Sequence, residues 1–131
     1  SPRPLAKIAS GGEISRVMLA IKSAMAGKGG VPTLIFDEID AGLGGRAAVT
    51  VARKLRELGR HYQVVAITHS PQIAAQADDH FRIEKVETGG RVVTQVGPLT
   101  RQEREEEIAR MLAGETITET SLANARELLA M

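Results

Sequence analysis

The sequence predicts an α/β fold: a mainly parallel sheet with flanking helices, closed by a C-terminal β-hairpin and two more helices. Two observations carry this. Short apolar runs at 31–36 (VPTLIF) and 63–68 (QVVAIT) alternate with amphipathic segments at 13–25 and 46–58. Helix, strand, helix, strand is the order of parallel α/β layers. Further on, residues 80–86 and 91–96 flank Glu87-Thr88-Gly89-Gly90, whose glycines permit the positive φ of a hairpin turn.

In the first helix, Ile14, Val17, Met18, Ile21 and Met25 fall at the i, i+3, i+4 spacing of a one-faced helix, with Gly27 as its stop. The run 31–36 follows a Gly-Gly-Val-Pro break and reads as a buried parallel strand. A second helix over 46–58 puts Ala48, Val51, Ala52, Leu55 and Leu58 on one side before Gly59. The run 63–68 reads as another buried strand. Ser70 and Pro71 then stand as N-cap and first residue of a short helix reaching about 77. Thr100 and Glu103 form a capping box for a helix to 113, Gly114 ends it, and a last helix covers about 121–129.

Composition narrows the function classes. The 131 residues are 43% hydrophobic and 25% charged, values of an ordinary globular domain. Seventeen basic residues against sixteen acidic ones give a net charge of +1, so any nucleic-acid contact must be local. The lack of cysteine excludes disulfides and thiolate metal sites and suits a reducing compartment. No apolar run reaches the ~20 residues of a membrane span, and no membrane partner is expected.

Three clusters can carry chemistry. Ser10 and Glu13 in Ala9-Ser10-Gly11-Gly12-Glu13 have capping-box spacing, which needs no ligand. Two glycines in a first helical turn, each costing ~1 kcal/mol relative to alanine, point instead to a backbone cradle for an anion, with the Ser10 hydroxyl as an added donor. Thr33-Leu34-Ile35-Phe36-Asp37-Glu38 is an apolar strand ending in two carboxylates, either a solvated loop or a site beyond a strand's carboxyl end. Successive carboxylates diverge, so one can hold Mg²⁺ while the other reaches a water. Ala66-Ile67-Thr68-His69-Ser70 places His69 at the next strand end, as a turn residue or a phosphate sensor. A phosphate-binding G-x-x-x-x-G-K-[ST] loop is missing: Gly27-Lys28-Gly29-Gly30 follows a helix, and Val31-Pro32 replaces the hydroxyl residue.

In this order the clusters resemble the signature motif, the Walker B motif with its glutamate, the D-loop (Asp40-Ala41-Gly42) and the switch histidine of ABC-type ATPases. KIASGGEISRVMLAIK, DEIDAGLGG, ITHSPQIAAQAD and the closing REEEIARMLAG and ANARELL resemble the RecN family, bacterial SMC-like ATPases of DNA repair. The resemblance implies that residues 1–131 form the C-terminal lobe of an ABC-type ATPase head, with a Walker A lobe and a coiled coil lying outside them. Ser10, Gly11, Gly12 and Glu13 would contact ATP held by an opposing head. Asp37 would position Mg²⁺, Glu38 polarise the attacking water and His69 sense the γ-phosphate. Expected partners are the N-terminal lobe, a second identical head, DNA and a recombinase, in the cytoplasm at the nucleoid. ATP would join two heads, and its hydrolysis would release them during double-strand-break repair.

A DNA contact is sought on the helix over 46–58, where Arg46, Arg53, Arg56 and, if the helix continues, Arg60 share the face opposite the apolar stripe. A solvated face is the competing reading. Two other functions stay open: a non-catalytic module binding DNA or protein, and the nucleotide domain of an ABC transporter.

Overall fold

A computed structural model describes residues 11–25 and 32–131. They fall into two compact units, one ending at Gln76 and one beginning at Ala77.

The first unit holds helix α1 (Gly11–Ala24), strand β1 (Thr33–Asp37), helix α2 (Gly45–Leu58), strand β2 (Gln63–Ile67) and helix α3 (Pro71–Ala75). The two strands pair in parallel, Thr33 with Gln63 through Asp37 with Ile67, and α2 supplies the crossover that parallel strands require. Ser70 caps α3 as expected, its hydroxyl accepting the Ile73 N–H, with Pro71 at the first helical position.

Because strand side chains alternate, Leu34, Phe36, Val64 and Ala66 face a core with Leu19, Ile39, Ala48, Ala52, Leu55, Leu58, Tyr62 and Ile73. The opposite face does not match the expectation of strands buried on both sides. Ile35 is 68% exposed, and Val65 and Ile67 are exposed too. The core draws on one face only, so the apolar run of β1 is half-buried.

Helix α1 departs further. Its apolar stripe, Ile14, Val17, Met18, Ile21 and Met25, is exposed, and the helix rests on its other side through Gly12 and Leu19. That side bears the smaller residue at the contact, and two polar neighbours, Ser15 and Arg16, find backbone acceptors there. Helix α2 behaves as its pattern predicts, burying Ala48, Ala52, Leu55 and Leu58.

The second unit holds strands β3 (Phe81–Thr88) and β4 (Arg91–Pro98) and helices α4 (Arg101–Ala113) and α5 (Glu119–Ala130). The hairpin turn is shorter than the 87–90 expected. Thr88 pairs with Arg91, and only Gly89 (φ 57°) and Gly90 (φ 77°) lie between, the two positive-φ residues of a type I′ turn. The capping box of α4 forms: Thr100 accepts the Glu103 N–H, and Glu103 accepts the Thr100 N–H at 3.0 Å. These bonds hold the Glu103 carboxyl below its ordinary pKa. Helix α5 starts before residue 121 because Thr118 and Ser121 cap it reciprocally. Helices α4 and α5 pack through Ile108, Ala109 and Ala125, all fully buried, and Arg126 pairs with Glu105 at 3.3 Å.

Among the described residues no helix is long and apolar enough to cross a membrane. Truncating Leu58, 2% exposed, to alanine is expected to cost ~2–5 kcal/mol in urea unfolding. On the open sheet face, Ile35→Thr should cost less than ~1 kcal/mol and reduce light scattering, since it removes exposed apolar surface.

Candidate functional site

Strand β1 ends at Asp37, and the parallel register places the end of β2, Ile67, beside it. Both loops therefore leave the same edge of the sheet, where ligands of open α/β sheets bind. Glu38 opens the first loop with φ 58°, the one non-glycine residue at positive φ among those described. A left-handed conformation is costly for such a residue. Here the Glu38 N–H reaches the Ile67 carbonyl at 3.3 Å, the Ala41 N–H returns to the Glu38 carbonyl at 3.0 Å, and Leu43 returns to Asp40 at 3.0 Å. Gly42, φ 78°, takes a second left-handed position without penalty. Between these reversals Ile39, 0% exposed, anchors the loop in the core.

Helix α1 lies against this loop at Gly11 and Gly12. A Cβ on Gly12 would stand 2.6 Å from the Glu38 carbonyl oxygen and 2.7 Å from the Ala41 Cβ, so only glycine fits. A Cβ on Gly11 would meet Oε2 of Glu38 at 2.7 Å, which puts the carboxylate against that glycine. The Ser15 hydroxyl donates to the Asp37 carbonyl at 2.6 Å, and Nη1 of Arg16 donates to the carbonyls of Ile39 at 3.0 Å and Ala41 at 2.8 Å. From the second strand end, the His69 N–H donates to Oδ2 of Asp40 at 3.2 Å. Thr68 Oγ1 accepts the Ser70 N–H, which tightens the turn into α3.

Gly11, Gly12, Asp37, Glu38, Asp40, Ala41 and His69, singled out from the sequence, thus meet in one constellation. Ser10 lies outside the described residues. Glu13 is exposed on α1, and Gly42 faces open space. Ser15 and Arg16 lie off the apolar stripe and match no motif, so neither stands out in the sequence. Yet Gly12, Ser15, Arg16 and Leu19 recur at i, i+3, i+4 and i+7, a helical face in its own right.

The arginine face is only partly as expected. Arg46, Arg53 and Arg56 are exposed on α2, but the helix ends at Leu58, and Arg60 sits in the following turn. Arg56 also donates to Gln76 at 3.2 Å.

Among the described residues no cluster of three or more His, Asp or Glu could hold a metal. Mg²⁺ needs no such cage, because it keeps waters and binds through one or two carboxylates and substrate phosphates. The Asp37 carboxylate, exposed at the strand end, fits that donor set.

The two glycines should respond differently to alanine. Gly12→Ala meets backbone, which cannot swing aside, and is expected to cost ~1–3 kcal/mol. Gly11→Ala meets the movable end of Glu38, and with up to ~1 kcal/mol of helix propensity gained should leave the urea midpoint nearly unchanged.

No family model matches the chain. Proteins named DNA repair protein RecN match it along nearly its whole length. The one from Treponema pallidum is 54% identical, that of Halalkalibacterium halodurans 52% and that of Bacillus subtilis 48%, each over 97% of this chain. The chain spans 22% of the length of each of these relatives. Among solved structures, an SMC ATPase studied for ATP-driven dimerisation and DNA-stimulated activation superimposes with a TM-score of 0.57 at 25% identity, over 84% of this chain and 66% of its own. The chain is therefore a homologue of one segment of the RecN proteins, with the α/β fold of an SMC ATPase head.

Proposed function

We propose that this chain is the C-terminal lobe of an ATP-hydrolysing head that pairs with a second head on ATP and serves DNA double-strand-break repair. The observation that carries the reading is the junction of α1 with the loop after β1. It puts the Gly11-Gly12 backbone, the Glu38 carboxylate and the His69 turn at one edge of the sheet.

Each residue has a role suited to its place. Gly11, Gly12 and Glu13 would meet the phosphates of a nucleotide held by the opposing head, bare backbone allowing close approach, and Ser10 is assigned the same role from its place in the motif. Asp37 would hold Mg²⁺, which would supply neutralisation of charge on the phosphates. Glu38 orients the attacking water and takes up its proton, and its left-handed backbone fixes where the carboxylate begins. His69 reads the γ-phosphate from the neighbouring strand. Asp40, Ala41 and Gly42 form the loop that meets the other head.

The remaining parts are supplied elsewhere. A separate N-terminal lobe provides the phosphate-binding loop, so the chain alone binds ATP weakly. DNA contacts Arg46 and Arg53, with Arg56 and Arg60 at the margin, through phosphate charge rather than base stacking. A recombinase is a further partner, and the cytoplasmic nucleoid is the setting.

Full-length protein carrying this chain should hydrolyse ATP in a Mg²⁺-dependent reaction whose specific activity climbs with protein concentration. Glu38→Gln should lower turnover at least ~10²-fold while ATP still drives head pairing by light scattering. Equal turnover by both proteins would remove Glu38 from the chemistry. Salt-sensitive DNA binding with no ATP turnover would favour a binding module instead.

A further inference from the structure

We infer that Arg16 is a positioning residue that couples the glycine end of α1 to both strand-end loops of the same lobe. The inference rests on the ATPase reading above for its kinetic consequence, but its structural content stands independently.

Three observations carry it. Arg16 spends one guanidinium nitrogen on two backbone carbonyls, those of Ile39 and Ala41, which bracket Asp40. A cation shared between two carbonyls makes charge-assisted bonds, stronger than neutral ones. Next, Asp40 accepts the His69 N–H through Oδ2, while its Oδ1 is buried with no partner. Its carboxylate therefore has little of its own to hold it, and its position follows from the backbone on either side. Finally, the Nη1 atom lies 3.0 Å from where a Cβ of Gly12 would be, so the clamp sits directly against the glycine contact.

The result is a continuous path. Helix α1 holds residues 39–41 through Arg16, residue 40 holds the His69 turn, and Ser15 holds the end of β1 through the Asp37 carbonyl. An anion that displaces the glycine end of α1 must drag the loop after β1, and with it the backbone that carries Glu38 and faces His69. In a paired head, occupancy at one glycine cradle would thereby set the geometry of the carboxylate and histidine in the same lobe.

The test uses the full-length protein with Arg16→Met, which keeps a long stem without donors, and Arg16→Lys, which keeps charge and donors. Hydrogen exchange at the amides of Ala41, Leu43 and His69 should quicken about tenfold or more in Arg16→Met, with α2 and the second unit unchanged. The kcat for ATP should fall about 10–100-fold, the range for misplacing reacting groups by an ångström, with KM within about twofold. Arg16→Lys should recover part of both. Unchanged exchange at these amides overturns the inference, as does faster exchange everywhere with kcat and KM damaged together, which marks a merely structural role. Should wild type and Glu38→Gln prove equally inactive, the ATPase reading fails, and the exchange pattern alone decides the role of Arg16.

Discussion

Helix α1 and the loop after β1 touch where there is no space for a side chain. With a Cβ at Gly12 only 2.6 Å from the Glu38 carbonyl, the backbone of one element is the floor for the other, and the neighbouring features follow from that approach. The loop has to turn sharply away from the sheet to present carbonyls toward the helix. It does so by accepting a left-handed Glu38 and a left-handed Gly42. Strain of ~1–3 kcal/mol at a residue such as Glu38 persists only where its surroundings over-determine it. Those surroundings are visible: Ile39 sunk in the core, two carbonyls held by Arg16, and a bond to the Ile67 carbonyl.

Much of this was legible in the sequence, for reasons that can be named residue by residue. Ser70-Pro71 and Thr100-x-x-Glu103 carry their start signals in local chemistry, and both caps form. The Gly89-Gly90 pair similarly allows one kind of turn. The candidate residues could be grouped because strand ends in parallel sheets share an edge, and the pairing of β1 with β2 brings the loops that begin after Asp37 and Ile67 side by side. What periodicity could not supply was which side of α1 the lobe uses. Both Ile14-Val17-Met18-Ile21 and Gly12-Ser15-Arg16-Leu19 satisfy helical spacing, and hydropathy favours the first. Backbone acceptors at residues 37, 39 and 41 decide for the second, and these have no signature in a sequence.

The same choice explains the exposed apolar surface of the first unit. Seating α1 on its polar and glycine side leaves Ile14, Val17, Met18, Ile21 and Met25 outward, while the core takes only one face of β1 and β2 and leaves Ile35, Val65 and Ile67 outward. Soluble proteins seldom leave contiguous apolar area uncovered. The chain spans about a fifth of the length of its RecN relatives, and among the described residues of the first unit these two apolar faces stay uncovered.

Asp40 shows why positioning here belongs to backbone more than to side-chain pairing. A buried carboxylate oxygen normally has a partner, since a lost hydrogen bond to a charged group costs more than the ~1–3 kcal/mol of a neutral one, and in half-buried Asp40 it is Oδ1 that is shut away from solvent. In this loop one oxygen accepts the His69 N–H and the other has no partner among the described residues. The single long bond of 3.2 Å cannot by itself fix a flexible acid. Arg16 can, because it holds the peptide before residue 40 through the Ile39 carbonyl and the one after residue 41 through the Ala41 carbonyl. A side chain held in this indirect way follows its backbone when the backbone moves, and so the contact to His69 is one that a displacement of α1 can make or break.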